Sequence, residues 1–107
     1  MKEEHLLEFL RSTIEGDAII SRVYKLFHIE FQYPIQVLNN IIETGLRKKI
    51  FRIEDVDNQN KQYTHIEWKR DNAYQEVIMN EDEKYIKDLF SKNAKIPRDF
   101  LSFLKKK

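Results

Sequence analysis

The amino-acid sequence predicts an α+β fold, with four or five helices around a small antiparallel sheet that forms a two- to three-stranded meander. Three observations predict it. Residues 34–46, PIQVLNNIIETGL, carry Ile35, Val37, Leu38, Ile41 and Ile42 at helical spacing. Immediately afterwards, RKKIFRIEDV and QYTHIEWK flank the polar stretch 57–61, which is the pattern of a hairpin. Further helical periods stand at both ends of the chain.

In chain order, residues 3–15 place Leu6, Leu7, Leu10 and Ile14 on one face with Phe9 beside them, and Glu4, Glu8, Arg11 and Glu15 on the other. Gly16 can end this helix and Asp17 can cap the next, predicted over 17–27, so that 16–17 makes the tight corner of an αα-hairpin. Residues 28–33, HIEFQY, alternate strictly between polar and apolar, which reads as a half-buried strand or as an inter-helix connection. The central helix follows, with Pro34 at its first position, Gly45 as a left-handed residue just past its end, and Leu46 closing back on Ile41.

In the second strand of the hairpin, Thr64, Ile66 and Trp68 share one face while Tyr63, His65 and Glu67 share the other. Residues 70–72 read as a turn and 74–79 as a third antiparallel strand. Asn80 with Glu83 resembles a capping box for a helix over 80–92 that carries Tyr85, Ile86, Leu89 and Phe90. Ile96-Pro97 opens a last short helix with Phe100, Leu101, Phe103 and Leu104 as its apolar residues. The length of 107 residues suits one domain, 1–107, ending in a basic tail at 105–107.

Composition narrows the function classes. There is no cysteine, so neither a thiolate metal site nor a cysteine nucleophile is available. The first residues, MKEEHLLEFL, are acidic where an export signal would be basic, and the apolar runs fall far short of the roughly 20 residues that cross a bilayer. A cytoplasmic protein without membrane contact is expected. Net charge is +1, which denies the molecule a strong positive field, although residues 92–107 hold six basic side chains against Asp99 alone.

Catalytic and metal signatures are sparse. The tripeptide His-Ile-Glu occurs at 28–30 and again at 65–67; paired as strands, His28, Glu30, His65 and Glu67 would converge as metal ligands, whereas ordinary polar strand faces explain them without a metal. Residues 55–66 depart from a calcium loop, having Asn60 where glycine is required and Ile66 where a bidentate glutamate is required. Only two glycines exist, so no glycine-rich phosphate loop can form, and no nucleophile–base signature marks any serine. A non-catalytic role with no cofactor is expected.

Two binding roles remain. The order of helices, Gly-Leu, basic residues, strand, polar loop and strand across 37–68, VLNNIIETGLRKKIFRIEDVDNQNKQYTHIEW, resembles a winged helix-turn-helix domain. The resemblance implies a transcriptional regulator in which helix 34–44 reads DNA. Gln36, Asn39 and Asn40 would then face bases, and Arg47, Lys48, Lys49, Arg52 and Lys61 would meet phosphates around a wing tip at 57–61. The other role, favoured by near-neutral charge and abundant aromatics, is a protein-binding or regulatory domain: an inhibitor, an antitoxin- or immunity-like protein, or an assembly subunit with a protein partner or a second copy. Tyr33, Tyr63, Tyr74, Tyr85, Phe100 and Phe103 are its candidate anchors.

Overall fold

The computed structural model describes residues 1–14, 20–55, 62–63, 75–79, 89–91 and 93–104. The first helix, α1 (Glu3–Ile14), begins with Glu3 and Glu4 and ends with Arg11 in its last turn, each sign set against the opposite end of the helix dipole. Its core face is Leu6, Phe9, Leu10 and Thr13, with Leu7 and Ile14 only partly covered. The stripe is therefore rotated from the expected one toward Phe9. The cause is aromatic packing: the Phe9 ring meets Phe27 edge-on at 5.0 Å and Tyr24 at 6.0 Å. Thr13 is tolerated inside because its hydroxyl donates to the Leu10 carbonyl at 2.9 Å.

The second helix, α2 (Ile20–Lys25), buries Ile20, Val23 and Tyr24. The Gly16-Asp17 corner expected before it lies outside the described residues. The helix does not stop at Phe27 but widens without a break into a π-helical turn, Leu26–Glu30. The strand reading of 28–33 is thus overturned. Phe27 and Phe31 stand four apart, and their rings come together at 5.1 Å while Phe31 stacks on His5 at 4.3 Å. Alternation of HIEFQY coincides with this helical spacing, and the aromatic cluster decides between them. The turn closes where Gln32 takes a left-handed φ of 60° and the Tyr33 N–H donates to the Phe27 carbonyl at 3.1 Å.

Pro34 is extended and caps α3 (Ile35–Arg47), its carbonyl accepting from the N–H of Val37 at 3.0 Å and of Leu38 at 3.4 Å. Leu38, Ile41 and Ile42 are fully buried, as their spacing requires. Gly45 was expected to end this helix in a left-handed conformation, but it lies inside α3 and does not adopt positive φ. The left-handed residue is Lys49, at φ 58°. Its N–H donates to the Leu46 carbonyl at 3.1 Å and the Ile50 N–H to the Gly45 carbonyl at 2.9 Å, the two bonds of a Schellman closure with Ile50 buried beyond it. A lysine in that conformation is strained, so Lys49→Gly is expected to raise stability by about 1 kcal/mol, read as a higher urea midpoint at unchanged slope. A lower midpoint would refute the strain.

Three strands follow: β1 (Phe51–Asp55), β2 (Gln62–Tyr63) and β3 (Gln75–Met79). β1 pairs with β2 through Ile53↔Tyr63 and Glu54↔Gln62, as the hairpin required. β3 does not add to β2 as a meander would. It pairs antiparallel with β1 over Phe51↔Met79 to Asp55↔Gln75, which gives the order β2-β1-β3. The strand with the most apolar inner face, Phe51 and Ile53, thereby takes the centre, and Ile53 is covered across the ladder by the buried Val77.

Of the helix expected over 80–92, Leu89 and Phe90 are described and are helical; the Asn80–Glu83 capping box lies outside the described residues. The Arg11 guanidinium reaches this end, donating from Nε to the Leu89 carbonyl and lying 5.9 Å over the Phe90 ring. The last element is a 3₁₀ helix, Arg98–Phe103, packed against α3. Among the described residues no helix is long and apolar enough to cross a membrane.

Candidate functional site

Burial of Ile20, Val23, Tyr24 and Phe27 leaves Arg22 and Lys25 on the outer side of α2, three residues apart. The π turn then admits an extra residue and carries His28 and Ile29 round to the same side. Together with Ser21, Tyr24 and Ile35 from the start of α3, these side chains line a groove of about 690 Å³, a volume in the range of ligand sites. Ile29 is 60 % exposed there, the most exposed large apolar side chain among the described residues.

The electrostatics of the groove are one-sided. Among the described residues, neither Arg22 nor Lys25 forms an ion pair and no carboxylate lines the walls. His28 donates from Nδ1 to the Tyr33 carbonyl at 2.8 Å, which holds the ring in place. Tyr24 lies at the floor. Burial, and secondarily the charge of Glu43, push its phenol well above the usual tyrosine range, so it stays neutral. The arrangement suits recognition: two basic side chains and an imidazole around an apolar floor.

The residues singled out for DNA are dispersed. Gln36 and Asn40 are exposed and bonded to each other, Nε2 to Oδ1 at 3.2 Å. Asn39 does not join them; it is half-buried, and its Oδ1 is enclosed without a hydrogen-bond partner among the described residues. Arg47, Lys48 and Lys49 stand exposed at the other end of α3, roughly 16 Å along the axis from Gln36 at the usual helical rise. Arg52 is half-buried and paired with Glu54 at 3.4 Å, so its charge already has a partner. Lys61 lies outside the described residues.

The aromatic anchors fare differently. Phe100 is 1 % exposed and stacked on Phe51 at 6.3 Å, which makes it core and corrects its assignment to an interface. Phe103 is partly buried against the same core. Tyr33 is half-buried, its hydroxyl 2.6 Å from His5 Nδ1 and accepting from the Lys2 N–H at 3.3 Å. Tyr74, Tyr85 and the Tyr63 side chain lie outside the described residues. His28 and Glu30 are exposed on the π turn, so the strand pairing that would have joined them to His65 and Glu67 is missing on their side. His65 and Glu67 themselves lie outside the described residues, and no three His, Cys, Asp or Glu side chains gather within them.

Sequence reasoning missed Arg22, Lys25 and Ile29. The signal was present as spacing, since 22, 25 and 29 follow one another by three and four, but it emerges only if the helical period is carried through 28–31. No protein-family model matches the chain, and neither curated proteins nor solved structures yield a significant match.

Proposed function

We propose that this chain is a small, non-catalytic protein-binding domain of the cytoplasm, acting as an inhibitor, an antitoxin- or immunity-like regulator or an assembly subunit, and that it docks its partner in the groove of α2 and the π turn. The observation that carries this reading is the conjunction of an exposed Ile29 with Arg22 and Lys25, which have no ion pair among the described residues, around one concavity. A single exposed isoleucine is ordinary on a protein surface. Set in a groove with an apolar floor, it becomes an anchor, because its burial by a partner is worth roughly 1.5–3 kcal/mol. Placement at a π turn agrees, since such turns recur at functional sites.

Panning random peptides against the protein tests the reading. Peptides enriched on the parent should bind an Ile29→Ser variant about 10- to 100-fold more weakly, the ratio that such a loss of apolar burial implies. Because Ile29 is exposed, the variant keeps the parent fold. Peptides that bind both proteins equally would refute the groove as the docking surface.

A second reading, a winged-helix-like DNA-binding regulator, is favoured by the exposed run Arg47, Lys48 and Lys49 at the C-terminal end of the helix that also exposes Gln36 and Asn40. The burial of the Asn39 oxygen and the pairing of Arg52 with Glu54 weigh against it. Mixed duplex DNA belongs in the same assay as a competitor. Tight binding at low salt that falls steeply as salt rises would transfer the assignment to DNA.

A further inference from the structure

Resting on the reading of the groove as a peptide dock, we infer that its partner presents an acidic segment in which carboxylates flank one bulky apolar side chain. The sign of the partner follows from the walls. Arg22 and Lys25 lie within one turn of each other and lack counter-ions among the described residues, so an incoming carboxylate supplies the charge each of them is missing. The α3 end of the groove adds to the same sign, because the first turn of α3 contains no acidic residue and no side-chain cap. Among the described residues, the neighbouring acids Glu43 and Glu30 do not reverse this. Glu43 is half-buried and acts on Tyr24 from α3, and Glu30 is exposed beside Ile29 without lining the groove.

The apolar element follows from the floor. Ile29 and Ile35 line the groove together with the buried Tyr24, and a purely polar acidic chain would leave them in water. An aliphatic or aromatic side chain seated between them excludes water from the ion pairs at the rim, which strengthens those pairs. Polynucleotides fit this surface less well. Their affinity is built from many phosphate contacts, whereas the groove offers Arg22 and Lys25 around an apolar floor.

The test uses ¹⁵N-labelled full chain titrated with three synthetic peptides of about 12 residues, long enough to span a groove of this size. The first is rich in Glu and Asp around one central Leu, the second has Ser in place of the Leu, and the third has Lys in place of every acid. The first should shift the backbone amides of residues 21–35, and each control should bind about tenfold more weakly or worse. The double variant Arg22→Glu/Lys25→Glu, both positions exposed, should exchange the preference of the first peptide for the third. If the Lys peptide moves the same amides as tightly as the acidic one, the inference falls while the groove remains a peptide dock. If no peptide moves residues 21–35, the inference and the reading beneath it both fall. A dT oligonucleotide of about 12 nucleotides that occupies the groove more tightly than the acidic peptide would overturn the inference in favour of nucleic acid.

Discussion

Replacing Phe100 by Ala is expected to remove about 3–5 kcal/mol of folding stability, the range for truncating a buried phenylalanine. A domain of this kind is stable by only about 5–15 kcal/mol, so the variant should unfold at a much lower urea concentration. The 3₁₀ geometry explains why the effect concentrates on this residue. With three residues per turn, Phe100 and Phe103 fall on the inner side while Arg98 and Leu101 fall outside, and Leu101 is 48 % exposed against 1 % for Phe100. The Phe100 ring lies at 10° to that of Phe51, so its loss also uncovers the strand that centres the sheet. Leu101→Ser, by contrast, should change stability by no more than about 0.5 kcal/mol. Urea titrations of the two variants decide the matter: a small loss from Phe100→Ala joined to impaired partner binding would restore the interface role suggested by sequence.

The same segment shows why parts of this fold were legible and others were not. Helical spacing alone located the core of α3 at Leu38, Ile41 and Ile42, because three turns of repetition leave one possible face. At 98–103 there are only six residues, too few for repetition to fix a face. An α period groups Phe100, Leu101, Phe103 and Leu104 together, and only the 3₁₀ period separates Leu101 from Phe100. At 28–33 two periods fit the same residues, and the choice was made by His5, 26 positions before its partner Phe31, and by Phe9, 18 positions before its partner Phe27. The groove was lost with that choice, since Ile29 reads as the buried side of a strand until the π turn puts it outside. Strand pairing was ambiguous for a related reason: local pattern locates β3 but not its neighbour, which depends on how the apolar face of β1 is covered on both sides.

Gly45→Ala is expected to lower stability by about 2 kcal/mol, although propensity alone predicts the reverse. Inside a helix Ala exceeds Gly by about 1 kcal/mol, and Gly45 has an ordinary helical backbone with no need of positive φ. The opposing effect is steric. A methyl group at this position would overlap the Phe51 ring at Cζ, Cε1 and Cε2, so the close approach of β1 to α3 depends on the missing side chain. The ring cannot swing clear cheaply, being 2 % exposed and stacked on Phe100. Overpacking of a filled core costs about 1–3 kcal/mol, and overlap with three ring atoms places this case at or above the upper end. Phe51→Leu removes the overlapping atoms while retaining an apolar side chain. In that background Gly45→Ala should become stabilising by about 1 kcal/mol, so the two substitutions should couple by about 3 kcal/mol in a double-mutant cycle followed by urea unfolding. Equal effects of Gly45→Ala in both backgrounds would show that the glycine is not retained for Phe51, and its absence of a side chain would then matter only through the end of the helix.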